Sequence, residues 1–137
     1  MSEQQNTQVV QDAYAAFKRG DVASVVAKLA GNVEWYIPGE GLYPQAGLYR
    51  GPDAVAGFFA KLGASTDFDA FEPREYTAQG DRVIASGYYH GKSKATGRSF
   101  ESEWCMAFTI QNGKIVRFRE YTDTASLGAA YQGAIAA

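Results

Sequence analysis

Apolar spacing divides the chain into a helical first half and a stranded second half. Val10, Ala13, Tyr14 and Phe17 recur at helical intervals and Gly20 follows as a stop, which predicts a helix over about residues 7–19. Asp21 opens a second segment in which Val22, Val25, Val26 and Leu29 form another stripe, ended by Gly31-Asn32 before the short apolar run VEWYI, a strand. Residues 38–51, PGEGLYPQAGLYRG, carry glycines and prolines at a density that predicts a long ordered loop. Pro52 suits a first helical position, and Val55, Phe58, Phe59 and Leu62 continue a third helix to about Gly63. The pattern then changes to strands at 69–79, 82–92, 98–111 and 114–122, separated by Gly80-Asp81, Ala95-Thr96-Gly97 and Asn112-Gly113. A short helix beginning at Asp123 is expected after them. Helices followed by an antiparallel meander predict an α+β domain, with helices covering one face of a curved sheet.

The last strand, KIVRFREYTD, carries the most informative residue. On the preceding strand Phe100, Ser102, Trp104, Met106, Phe108 and Ile110 share an apolar face, opposite Glu101, Glu103, Cys105, Ala107 and Thr109. Val116 and Phe118 must join that apolar face. Register decides whether they do, because a one-residue slip turns every side chain over. A two-residue turn would pair Met106 with Arg119. A three-residue loop with a glycine bulge pairs Met106 with Phe118 and Trp104 with Glu120, and is the expected choice. Glu120 then points inward, leaving Ile115, Arg117, Arg119 and Tyr121 on the outer face with Glu101 and Glu103, where cross-strand ion pairing is expected. A carboxylate buried without a cation costs several kcal/mol and raises its own pKa. Glu120 is either a structural acid that reaches water or a hydroxyl, or a general acid/base in an apolar pocket.

Composition narrows the setting. The chain has 137 residues, one domain's worth, so residues 1–137 are expected to form a single domain. Nine Tyr, eight Phe and two Trp suggest a lined cavity or a large interface. A net charge of −2 without a basic run argues against nucleic acid as a partner. No apolar run reaches the ~20 residues of a membrane span, and the single Cys105 and the polar start MSEQQNTQ point to the cytoplasm. Cys105 has no adjacent histidine to activate it. His90, the only histidine, lies near a strand end with its facing undecided. Metal-ligand spacing is absent, and no glycine-rich run joins a strand to a helix as phosphate binding requires; neither metal nor cofactor is expected.

The stretches YAAFKRGD, VEWYIPG, YRGPDAVAGFF, ATGRSFESEW and GKIVRFREYTD, in that order, resemble the nuclear-transport-factor-2-like superfamily, which includes ketosteroid isomerases and SnoaL-like polyketide cyclases. The resemblance covers nearly the whole chain and implies a cone-shaped α+β barrel of curved antiparallel sheet. From the isomerases it implies an oxyanion-donating tyrosine at Tyr14, but the isomerase's two aspartates fall at Trp35 and Met106, so steroid isomerisation is disfavoured. From the cyclases it implies an acid at Glu120, one methylene longer than theirs, with a histidine fourteen residues earlier, where this chain has Met106. Tyr14 lies on the apolar stripe of its helix and is also a core residue by spacing. Trp35, Phe58, Phe59, Trp104, Met106 and Phe118 are core residues that a hollow barrel would turn into a substrate-binding wall. Two functions follow. One is a cofactor-independent isomerase, cyclase or lyase moving a proton with Glu120 on a small apolar carbonyl or polyketide-like substrate, with Tyr14 or an indole N–H as donor to its oxygen. The other is a non-catalytic binding protein for such a molecule. A homodimer through the partly polar outer face of Ile115, Arg117, Arg119 and Tyr121 is expected in either case, and the superfamily resemblance implies the same.

Overall fold

The computed structural model describes residues 2–132. Helix α1, Glu3–Lys18, starts earlier than apolar spacing suggests because Ser2 and Gln5 form a capping box: the Ser2 hydroxyl accepts the Gln5 N–H, and the Gln5 side chain accepts the Ser2 N–H. It ends in a left-handed Gly20, with the Gly20 and Asp21 N–H groups donating to Phe17 and Ala16. Asp21 caps the single-turn helix α2, Val22–Val26. Leu29, expected to extend that helix, instead opens strand β1, Leu29–Ile37. Within the expected 38–51 loop, Gly47–Arg50 forms a short strand, β2, paired antiparallel to β1. A four-residue strand beginning on glycine leaves almost no periodic signal. Helix α3, Pro52–Ser65, leads into β3 (Thr66–Gln79), β4 (Arg82–Ser93), β5 (Ser99–Gln111) and β6 (Lys114–Tyr121). Helix α4, Thr124–Gln132, is the short helix expected after the strands; the Asp123 carboxylate caps it by accepting the Ser126 N–H.

The six strands form one curved, unclosed sheet in the order β2-β1-β6-β5-β4-β3. It is a meander only from β3 to β6. The last strand inserts beside the first, and β1 and β6 run parallel. Helix α1 packs on β3 and β4, α3 on β1 and β2, and α4 on β5 and β4. The space enclosed between these helices and the concave face is filled mainly by aromatic rings.

The β5–β6 hairpin corrects the expected register. Its turn has two residues, Asn112 and Gly113, both at positive φ (52° and 76°), with Gln111 opposite Lys114. A bulge then skips Val116, so that Phe108 pairs with Phe118 and Met106, rather than Trp104, pairs with Glu120. The extra residue restores the inward direction of Phe118 and Glu120 that a two-residue turn alone would have reversed. It also places Ile115 on the inner side, fully buried, and removes it from the expected outer face. Glu101 and Glu103 lie farther along β5 than the positions opposite Arg117 and Arg119, so the expected cross-strand ion pairs do not form; Glu101 accepts a hydrogen bond from Tyr88 instead.

Candidate active site

Glu120 reaches the cavity because β6 alternates: Phe118 and Glu120 point inward, Arg117, Arg119 and Tyr121 outward. The cavity measures about 90 Å3 as room for the centre of a water-sized sphere, several times the ~10–15 Å3 that one water needs. Tyr14, Trp35, Phe58, Phe59, Met106 and Phe118 all line it, and Glu120 is the sole carboxylate among the described lining residues. Trp35 stacks on Phe118 with ring centroids 3.9 Å apart and packs against Phe58 and Phe59. Trp104 departs from expectation. It is buried but does not line the cavity; its ring lies over Gly87, where a side chain on β4 would collide with it. A glycine is required there because Trp104 and the Glu72 carbonyl occupy the space of a β-carbon.

Glu120 is 8% exposed and has no cation as a hydrogen-bond or ion-pair partner among the described residues. Burial pushes its carboxyl up to about 7, with one opposing influence, a 2.7 Å hydrogen bond from the Tyr89 hydroxyl that favours the carboxylate. At neutral pH both forms are populated, the condition in which a carboxyl group can give or take a proton. Tyr14 lines the same cavity. The Tyr14 hydroxyl donates to the Met106 sulfur at 3.1 Å, and burial holds its own pKa well above the usual value, so it remains a proton-bearing donor. A thioether is a weak acceptor, readily exchanged for a carbonyl oxygen. Trp35 is 5% exposed, and its buried indole N–H has no hydrogen-bond partner among the described residues.

Several lining residues were not expected from the sequence, among them Tyr89, Gln45 and Tyr131. Tyr89 follows Val83, Ala85 and Gly87 on the buried face of β4, a two-residue period present in the sequence. His90 faces outward, half-exposed, with Nδ1 2.5 Å from Asp69. Gln45, from the loop before β2, and Tyr131, from α4, meet at the cavity wall, with the Gln45 amide donating to Tyr131 at 3.0 Å and Tyr131 bonded in turn to Thr66. No local pattern marks either. Cys105 lies on the partly exposed outer side of β5, and burial raises its thiol pKa, which leaves it a poor nucleophile.

The curved sheet and its covering helices agree with known proteins similar to the chain. Residues 10–118 match the SnoaL-like domain. The chain belongs to the SnoaL-like family. A solved NTF2-like protein from Burkholderia xenovorans LB400 is 41% identical, with a TM-score of 0.87 over 96% of this chain and 98% of that one. A solved protein from Xanthomonas campestris, described as a candidate polyketide cyclase, is 26% identical with a TM-score of 0.77, over 94% of this chain and 98% of that one. An uncharacterized protein of Mycobacterium tuberculosis, Rv0034, is 26% identical over 92% of this chain and 95% of its own length. The curved, unclosed sheet matches the NTF2-like cone fold. In this SnoaL-like chain the position fourteen residues before the acid is its direct cross-strand partner, and it carries a sulfur that transfers no proton. No helix among the described residues is long and apolar enough to cross a membrane.

Proposed function

We propose that this SnoaL-like chain is a cytoplasmic, cofactor-independent proton-transfer enzyme of the isomerase, cyclase or lyase type, acting on a small, mostly apolar carbonyl compound of polyketide-like structure. The observation that carries the reading is a buried carboxyl group with no cation partner among the described residues, in a mostly apolar cavity rich in aromatic rings; burial there raises its pKa. Glu120 removes a proton from carbon next to the substrate carbonyl and returns it at another position, while the Tyr14 hydroxyl or the Trp35 N–H donates to the oxygen on which charge develops. The likeness to the Xanthomonas protein supports the substrate class. Met106 opposite the acid favours a second reading, a binding protein for the same molecules, because the cross-strand position facing Glu120 then carries no group that transfers a proton.

Native mass spectrometry of the purified protein identifies what the cavity retains, and incubation of that compound in deuterated water separates the readings. Wild type is expected to exchange the protons beside its carbonyl group, and Glu120→Gln to bind it without exchange. Binding with no exchange by either protein would leave the binding-protein reading standing.

A homodimer through the outer face of β2, β1 and β6 is part of the same proposal. Leu48 and Tyr121, 49% and 51% exposed, lie on that face with Arg117 and Arg119, and Arg119 stacks between the rings of Tyr36 and Tyr121. Sedimentation equilibrium at micromolar concentration is expected to give twice the chain mass; a species of only 14.8 kDa would exclude the dimer.

A further inference from the structure

A row of hydroxyl groups runs from Glu120 away from the cavity. The Tyr89 hydroxyl lies 2.7 Å from Glu120 Oε2 and 2.6 Å from Thr122 Oγ1. Thr122 Oγ1 lies 3.2 Å from Ser102 Oγ, which also accepts the Asp123 N–H at 3.2 Å and donates to the Glu103 carbonyl at 2.6 Å. Each hydroxyl has one proton to give. The far end of the row is fixed, because a carbonyl only accepts: the Ser102 proton goes to Glu103, and Ser102 is left to accept from Thr122.

Tyr89 is where the row divides, with two short contacts and one proton. When Glu120 is ionised it has nothing to donate, so the Tyr89 proton goes to the carboxylate. Thr122 must then turn its own proton to Tyr89 and give up Ser102. When Glu120 carries a proton, it donates to Tyr89, Tyr89 to Thr122, Thr122 to Ser102 and Ser102 to Glu103. Every contact is then made at once. Only the protonated acid satisfies the whole row.

We propose that Thr122 and Ser102 are positioning residues which, acting through Tyr89, order the row of hydroxyls so that it favours the protonated form of Glu120. The row changes no bond except O–H, and the proton that Glu120 gains comes from substrate or solvent. The catalytic meaning rests on the reading of Glu120 as the acid/base, whereas the hydrogen-bond ordering does not. Other groups do not set this state. The ionisable side chains coupled to Glu120 are tyrosines, Tyr14 on α1, Tyr43 before β2, Tyr89 on β4 and Tyr131 on α4, all with pKa values raised by burial. On β5 the facing residue is Met106. The Asp123 carboxylate is turned to Ser126.

The test titrates Glu120 in ligand-free protein by carboxyl-carbon NMR, with Glu120→Gln identifying the resonance. Thr122→Val frees the Tyr89 proton for the carboxylate, and the Glu120 midpoint is expected to fall by about one pH unit. Ser102→Ala frees Thr122 to donate to Tyr89 and is expected to lower it in the same direction, while Thr122→Ser restores the wild-type midpoint. A midpoint unchanged or raised in both Thr122→Val and Ser102→Ala overturns the proposal. Wild type alone supplies a second check: in the infrared difference spectrum against Glu120→Gln at pH 5, the Glu120 carbonyl band is expected at the lower frequency of a carboxyl group that donates a hydrogen bond. A band typical of a free carboxyl group also overturns it. Shifted midpoints in a protein without turnover would leave the ordering intact and reject only the enzymatic reading.

Discussion

Glu120→Gln is expected to melt roughly 6–12 °C above wild type at pH 7.5, to melt at nearly the same temperature at pH 4, and to lose turnover. The folded-state pKa of Glu120 is raised to about 7 from the ordinary 4.5, so the folded chain binds a proton more tightly than the unfolded one. The group therefore imposes no penalty below the unfolded value. Stability is lost as pH rises from about 4.5 to about 7, reaching about 3 kcal/mol above that window. Glutamine does not ionise and escapes this loss, and its amide group keeps a hydrogen bond with the Tyr89 hydroxyl. For a chain of this length each kcal/mol is worth roughly 2–4 °C. A carboxylate on the surface would show almost no difference at either pH, and one held by a buried cation would make the variant less stable. Thermal melts of both proteins at the two pH values distinguish the cases, and a lowered melting temperature at pH 7.5 would reject a desolvated acid.

Phe118→Ala is expected to cost about 4 kcal/mol, the upper part of the range for deleting a buried aromatic ring. Phe118 is buried, stacks on Trp35 and meets Phe108 edge-on at 5.0 Å, so its removal leaves two rings without a neighbour and opens the cavity wall beside Glu120. Tyr121→Ala, three residues away on the opposite face, is expected to change monomer stability by less than about 0.5 kcal/mol. Urea denaturation of the two variants at a concentration where the chain is monomeric measures the contrast. Equal costs would mean that β6 is turned over from the register described, and Glu120 with it.

Glu120 and Phe118 were readable from the sequence for a reason that did not depend on the turn. The apolar alternation of β5 is long, and Phe118 has to meet it, so the direction of β6 follows from burial. How the chain achieves that direction was not readable. A tight Asn-Gly turn followed by a skipped Val116 gives the same facing as a three-residue loop, and only the pairing beyond the bulge differs. The aromatic wall was legible in Trp35, Phe58 and Phe59, which sit on strong periodic stripes. Trp104 misled because an inward residue on a curved sheet can seat itself against the sheet's own glycine, here Gly87, and never reach the hollow. Gln45 and Tyr131 depend on where a loop and a terminal helix come to rest, which is a property of the assembled fold. The Tyr89 and Ser102 hydroxyls lie on β4 and β5 and Thr122 follows β6, and no spacing within any one of these segments signals that they meet.

The position of β6 also fixes the order in which the molecule can be finished. Strands β2 and β1 on one side and β5, β4 and β3 on the other are joined only through β6, the last strand to be synthesised. Until it arrives, β1 and β5 are both open edges, and Trp35 has no Phe118 to stack on. The parallel contact between β1 and β6 spans most of the chain, the kind of distant closure that slows folding. A nascent or partly unfolded chain therefore displays its aromatic cavity wall and two unpaired strand edges together, and the period before β6 inserts is when this protein is most exposed to aggregation.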